Sequence, residues 1–209
     1  MNTANGYLLI VEDDPDILKL LDTSLKLRGY RVVTAQNGRD GLEVIQRERP
    51  AIVITDIMMP KLDGFGLVHR LRINPETRDI PVVFITATYV TLEDREFALN
   101  IGATRFIQKP VEMEKFLKTI AEVIQQGMPT PFEPLREFSF YDGYRRRLEA
   151  KLEQKNKQIA RDEYLLGTHA DEQDASIRAS FQHAMNERDE LKLLLDQIYQ
   201  QLEKYAKTE

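Results

Sequence analysis

The run Ala51-Ile52-Val53-Ile54-Thr55-Asp56 constrains the fold more than any other stretch of the chain. It is apolar and β-branched, ends in a single carboxylate, and is followed by Pro60 and the turn dipeptide Asp63-Gly64. Continuous runs of this kind read as strands covered on both faces, the situation of a parallel sheet. Pro60 cannot extend a ladder, so the strand ends and Asp56 sits at the rim. Ligands of open α/β sheets gather at the carboxyl ends of their strands.

Four further runs repeat the pattern. Tyr7-Leu8-Leu9-Ile10-Val11 stops at Glu12-Asp13-Asp14-Pro15, where Asp14 is a cap and Pro15 a first helical residue. Arg31–Ala35 is a second strand, Ile80–Ala87 a fourth, and Arg105-Phe106-Ile107-Gln108 a fifth that leads into Lys109-Pro110. Amphipathic stretches lie between them. One runs from Ile17 to a stop at Gly29, one opens at Asn37-Gly38, one carries Phe65, Leu67, Val68 and Leu71, and one spans about Leu92 to Asn100. A last one carries Met113, Phe116, Leu117, Ile120, Val123 and Ile124 to Gly127. Strands alternating with helices predict an α/β, flavodoxin-like doubly wound sheet of five parallel strands over residues 1–127.

The composition changes after Gly127. Three prolines, Pro129, Pro131 and Pro134, make residues 128–135 a stiff linker. Beyond it the chain is charged and Gln-rich. Ile177, Phe181, Ala184, Leu191, Leu195, Ile198, Leu202 and Tyr205 follow steps of four and three, interrupted only by Arg188. That is a coiled-coil seam. Tyr141, Leu148, Leu152, Ile159 and Leu166 follow a weaker version, with Lys155 and Asp162 on it. A polar break starting at Gly167 predicts an all-α helical hairpin over residues 136–209, one continuous helix being the alternative. Two helices make a thin core, so the tail is expected to self-associate, giving a homodimer.

The formal charge of −5, from 29 Lys+Arg against 34 Asp+Glu, offers no basic field for nucleic acid or anionic lipid. The absence of Cys excludes disulfides and thiolate metal sites. No signal pattern stands at the N-terminus and no apolar run reaches 18 residues, so a cytoplasmic location is expected, with no membrane contact. No basic recognition helix is present, so no DNA-binding motif is read in the tail. Arg145-Arg146-Arg147 reads as a solvated helix start. His69, His169 and His183 lack metal-ligand spacing.

The predicted strand ends bring Glu12, Asp13, Asp56, Thr86 and Lys109 to one crevice. Three carboxylates there require a cation. Oxygen-only donors favour a hard one, with Mg²⁺ the natural choice beside a phosphoryl group. Lys109 and the Thr86 hydroxyl suit the remaining phosphoryl oxygens, and Asp56 suits the role of nucleophile.

These motifs together resemble the receiver domain of two-component response regulators over about Tyr7 to Gln126. The resemblance rests on Leu9–Pro15, Asp56-Ile57-Met58-Met59-Pro60 with Asp63-Gly64, Thr86-Ala87, and Phe106 with Lys109-Pro110. It implies that Asp56 accepts phosphate from a sensor histidine kinase. It also implies that Glu12, Asp13, Asp56 and the Met58 carbonyl hold Mg²⁺, and that Thr86 and Lys109 contact the phosphoryl group. Thr86 and Phe106 would form a switch, the Lys109-Pro110 bond would be cis, and Met58 and Thr88 would tune phosphate lifetime. Glu12 stands where the family more often has Asp. No outside substrate is expected, so the chain is read as a phosphoacceptor and not as an enzyme. The downstream partner is not named by the sequence. A phosphorylation-dependent helical tail is the leading output, a constitutive coiled-coil scaffold the second, and an RNA-binding antiterminator-like tail a third.

Overall fold

The strands order themselves β2-β1-β3-β4-β5, all parallel, with β1 at Leu8–Val11, β2 at Val32–Ala35, β3 at Ile52–Asp56, β4 at Val82–Thr86 and β5 at Arg105–Gln108. A computed structural model of the chain supplies this arrangement and describes residues 6–86, 92–127, 134–168 and 174–206. Ala87, Thr88, His169 and most of the predicted linker lie outside the described residues. The chain divides into two compact units, Met1–Leu135 and Arg136–Glu209.

In the first unit, β1, β3 and β4 are buried along their whole length, as their unbroken apolar sequence requires. Side chains alternate between faces. Leu8, Ile10, Ile52, Ile54, Val83 and Ile85 pack with Leu21 and Leu25 of α1 (Pro15–Leu27) and with Phe116, Ile120 and Val123 of α5 (Met113–Gln126). The opposite face meets α2 (Gly38–Arg47), α3 (Gly64–Ile73) and α4 (Leu92–Asn100). An edge-to-face aromatic series crosses that layer: Phe97 to Phe65 at 5.2 Å, Phe65 to Phe84 at 5.5 Å, and Phe84 to Phe106 at 6.2 Å between ring centroids.

Local chemistry sets the helix starts. The Asp14 carboxylate accepts from the Asp16 and Ile17 amides, with Pro15 following. The Asn37 side chain accepts from Arg39 and Asp40 and donates back to the Asp40 carboxylate at 2.7 Å. Asp63 accepts from Gly66 at 2.8 Å. Gly29 and Gly127 end α1 and α5 with positive φ, 84° and 67°.

Arg72 is only 1 % exposed although it lies in a helix. Its guanidinium donates to the carbonyls of Arg78, Ile80 and Gly102 at 2.7–3.1 Å, tying α3 to the turns before β4 and β5. Burial lowers its pKa to about 10, against a smaller raising effect from Asp79.

The second unit is a helical hairpin of α6 (Glu137–Thr168) and α7 (Asp174–Ala206). The helices run antiparallel. Ser180 donates to Asp162 at 2.9 Å, Lys155 pairs with Glu187 at 2.7 Å, Tyr199 donates to Glu149 at 2.6 Å, and Tyr205 reaches Glu137. Tyr141 stacks on Tyr205. Tyr144, Leu148 and Ile159 of α6 and Ala184, Leu191, Leu195 and Ile198 of α7 are buried. Lys155 and Asp162 on the α6 seam are therefore answered across it, while Arg188 of α7 pairs with its neighbour Asp189.

Candidate functional site

The crevice forms where β1 and β3 lie side by side, since the chain winds one way from β1 to β2 and the other way through β3, β4 and β5. Val11 is in register with Thr55, Asp56 with Ile85, and Thr86 with Gln108. One residue past these pairs, Glu12, Asp56 and Lys109 come together. Carboxylate oxygens of Glu12, Asp13 and Asp56 lie within 4.8 Å of one another. Glu12 and Asp56 are buried, and Asp13 is exposed.

Lys109 binds two of these acids. Its Nζ lies 3.1 Å from Glu12 Oε1, 2.9 Å from Glu12 Oε2 and 3.2 Å from Asp56 Oδ1. Only the Oε1 contact to Glu12 has hydrogen-bond geometry, which leaves Oε2 buried with a charge neighbour but no hydrogen bond. The second oxygen of Asp56, Oδ2, accepts from the Met58 amide at 3.0 Å. Lys109 also donates its own amide to the Thr86 carbonyl at 2.6 Å, and the Lys109-Pro110 peptide is cis. Thr86 is buried, its hydroxyl without a hydrogen bond among the described residues, while Phe106 is half-buried at the edge of the aromatic series.

The electrostatics reflect three acids against one base. Burial, with the charge of Asp56 adding to it, raises the Glu12 carboxyl to about 7 against the lowering effect of Lys109. Burial raises Asp56 too, with Lys109 opposing and Asp13 adding to the rise, and it also raises Asp13. Burial pulls Lys109 down, but the negative charge of Asp56 and Glu12 outweighs this and its pKa is raised. The donor set is all oxygen, carries excess negative charge, and includes a buried carboxylate oxygen lacking a hydrogen bond. Those properties fit a hard divalent cation such as Mg²⁺.

Other candidate residues are accounted for elsewhere. Arg145 pairs with Asp142 and Glu149, and Arg146 with Asp142, so two of the three clustered arginines are answered within α6. His183 is exposed, 3.4 Å from Glu187, and His69 is buried in α3. Among the described residues no helix is long and apolar enough to cross a membrane.

Two contributors to the site carried no signal as single residues. Gly64 stands where a Cβ would lie 2.2 Å from the Asp56 carbonyl oxygen, so the loop closes tightly only with glycine there. Lys61 takes a positive φ of 64°. The first was legible as a turn dipeptide but not as a steric requirement.

Comparison with known proteins agrees with this geometry. Residues 8–121 match the response regulator receiver domain. The chain is 37% identical over 127 residues to a probable transcriptional regulator, ycf27, of Pyropia yezoensis, covering 61% of this chain and 51% of that one. A putative response regulator from Chloroflexus aurantiacus J-10-fl superimposes with a TM-score of 0.55 at 28% identity, covering 58% of this chain and 98% of that structure. The chemotaxis response regulator CheY4 of Vibrio cholerae gives 0.53 at 30% identity, covering 56% and 98%. The chain belongs to the response regulator receiver family, with the doubly wound fold of CheY and an all-helical region after it. It spans about half the length of the curated relative described above, and the family match ends before α6.

Proposed function

We propose that the chain is a two-component response regulator whose Asp56 accepts a phosphoryl group from a sensor histidine kinase. The observation that carries this reading is Lys109 bridging Glu12 and Asp56 at the switch point of the sheet, with Asp13 beside them. An ionised oxygen of Asp56 attacks phosphorus of the kinase's phosphohistidine. The P–N bond breaks, its electron pair leaves on the imidazole nitrogen, which is protonated, and the product is an acyl phosphate on Asp56. Lys109 opposes the rise that burial imposes on the Asp56 carboxyl and neutralises charge on the phosphoryl oxygens. The Thr86 hydroxyl is a donor to a second phosphoryl oxygen.

Glu12, Asp13, Asp56 and the Met58 carbonyl would hold Mg²⁺, which when bound offsets the charge of the group in transit. Water attack on the acyl phosphate returns Asp56, so the crevice modifies only itself and turns over no outside substrate. The protein is read as cytoplasmic, in keeping with a kinase partner.

The output of this reading is the hairpin, whose association with a second chain changes with phosphorylation. A ligand shifts such an equilibrium only by binding its two states differently. Phe138, Tyr164 and Leu193, each more than half exposed, offer apolar surface away from the buried seam. The constitutive scaffold and the RNA-binding tail are the competing outputs. No observation favours the latter, since Arg145 and Arg146 are paired with acids of α6.

Incubation with a phosphorylated kinase and Mg²⁺, followed by mass spectrometry, should add one phosphoryl group, and Asp56→Asn should abolish it. Light scattering with and without beryllofluoride then reads the output. A mass change that needs Asp56 supports the switch. An unchanged dimer despite bound beryllofluoride supports the scaffold.

A further inference from the structure

Gly38 and Gly66 both lack the positive φ that calls for glycine at Gly29 and Gly127, and both sit in the first turn of a helix, where alanine is the better helix former. Space explains them. A Cβ on Gly38 would stand 2.6 Å from the Leu62 carbonyl oxygen and 3.0 Å from Leu62 Cγ. A Cβ on Gly66 would stand 2.6 Å from Leu62 Cδ1. The starts of α2 and α3 therefore form a niche, and the half-buried Leu62 fills it. The fit extends to the backbone. The Gly38 amide, which has no partner inside α2, donates to the Leu62 carbonyl at 2.9 Å.

Leu62 belongs to the loop of residues 57–63, between β3 and α3. The near end of that loop is held at Asp56, whose carboxylate accepts from the Met58 amide at 3.0 Å. Its two stems are joined by the Gly64 amide, which donates to the Ile57 carbonyl at 2.8 Å. A turn closed by the Leu62 amide on the Pro60 carbonyl, also at 2.8 Å, delivers the chain to the niche. Leu62 thus fastens the loop to α2, an element outside the β3–α3 connection. Of the four groups read as metal ligands, Glu12, Asp13 and Asp56 stand at strand ends or within two residues of one. The Met58 carbonyl belongs to the loop, so its place depends on how the loop is fastened.

We infer that Leu62 is a positioning residue for the metal site: seated in the niche of Gly38 and Gly66, it fixes the loop that carries the Met58 carbonyl. The inference rests on the phosphoacceptor reading above, which makes that carbonyl a metal ligand, and adds to it a side chain that is itself no ligand. Mg²⁺ demands near-octahedral oxygens at about 2.0–2.1 Å, so a carbonyl on a loosened loop is a poorer ligand. Removing a group that holds a ligand in place commonly weakens metal binding about tenfold or more.

The test titrates Mg²⁺ into the full chain by calorimetry, at a temperature where every variant is folded, and follows amide hydrogen exchange in the metal-free protein. Leu62→Ala empties the niche, Leu62→Val is a milder truncation, and Leu62→Met refills it. Val123→Ala, in the core between the sheet and α5, removes buried volume on the opposite face and serves as the control. The expected result is a Mg²⁺ dissociation constant raised about tenfold in Leu62→Ala, with Leu62→Val between it and the wild type and Leu62→Met within about twofold of the wild type. The Gly38 and Met58 amides should exchange faster in Leu62→Ala without metal. Val123→Ala should lower the Tm and leave Mg²⁺ affinity unchanged. Wild-type affinity in Leu62→Ala and Leu62→Val overturns the inference. So does a loss of the same size in Val123→Ala, which assigns it to general stability, or a Leu62→Met as weak as Leu62→Ala. A wild-type chain that binds no Mg²⁺ overturns the metal site of the phosphoacceptor reading as well.

Discussion

Gly64 shows how little room the loop after β3 has. An added methyl would meet the Asp56 carbonyl oxygen at 2.2 Å and the Phe84 ring at 2.9 Å. Gly64→Ala is expected to cost about 3 kcal/mol in urea unfolding, since the carbonyl is backbone and the Phe84 ring is held between Phe65 and Phe106. Glu12 gives a pH dependence with a defined sign. Its folded pKa, about 7, stands above the ordinary 4.5, so the folded state holds the proton more tightly. The stabilisation is complete below pH 4.5 and is lost as pH rises through 7. Burial and neighbouring acids push Asp13 and Asp56 the same way. The Tm of the metal-free protein should therefore fall over that window, and Glu12→Gln should flatten the fall. A Tm that climbs across the window contradicts the assignment.

At the scale of elements, what the sequence revealed depended on how far away each residue's partner lies. Strand ends and helix starts were legible because their determinants are local: Asp14 with Pro15, Asn37 with Gly38, and the β-branched runs. The convergence of Glu12, Asp13, Asp56 and Lys109 followed from strand alternation alone. Arg72 was not legible, because an arginine in a helix reads as surface and its carbonyl partners lie 6 to 30 residues away. Likewise Lys155 and Asp162 read as breaks in a seam, because Glu187 and Ser180, which answer them, lie 32 and 18 residues further on. Arg72→Met should cost about 3 kcal/mol, by stranding the buried carbonyls of Ile80 and Gly102 and the partly buried one of Arg78, and hydrogen exchange should rise first around Gly102. In the hairpin, Ala184 is fully buried, and Ala184→Leu should lower the thermal midpoint of α6 and α7 by forcing them apart, at about 1–3 kcal/mol.

Across the whole molecule the chemistry and the helical region are separable by position. Every residue placed at the crevice precedes Pro110, and the hairpin begins at Glu137. A chain ending at Gly127 should still be stabilised by Mg²⁺, by an amount that grows with the logarithm of metal concentration, while losing any association carried by the tail. Thermal melts and light scattering on the same samples check both halves of that statement. The antiparallel pairing of α6 and α7 also settles what kind of mechanical object the tail is. A single helix of the same residues would be a rod about 105 Å long, separating its two ends. Folded back, Tyr205 returns to Glu137 and Tyr141, so entry and exit share one end of an arm about 48 Å long. Adding or deleting matched heptads would change how far the arm reaches without moving the point at which the polypeptide leaves it.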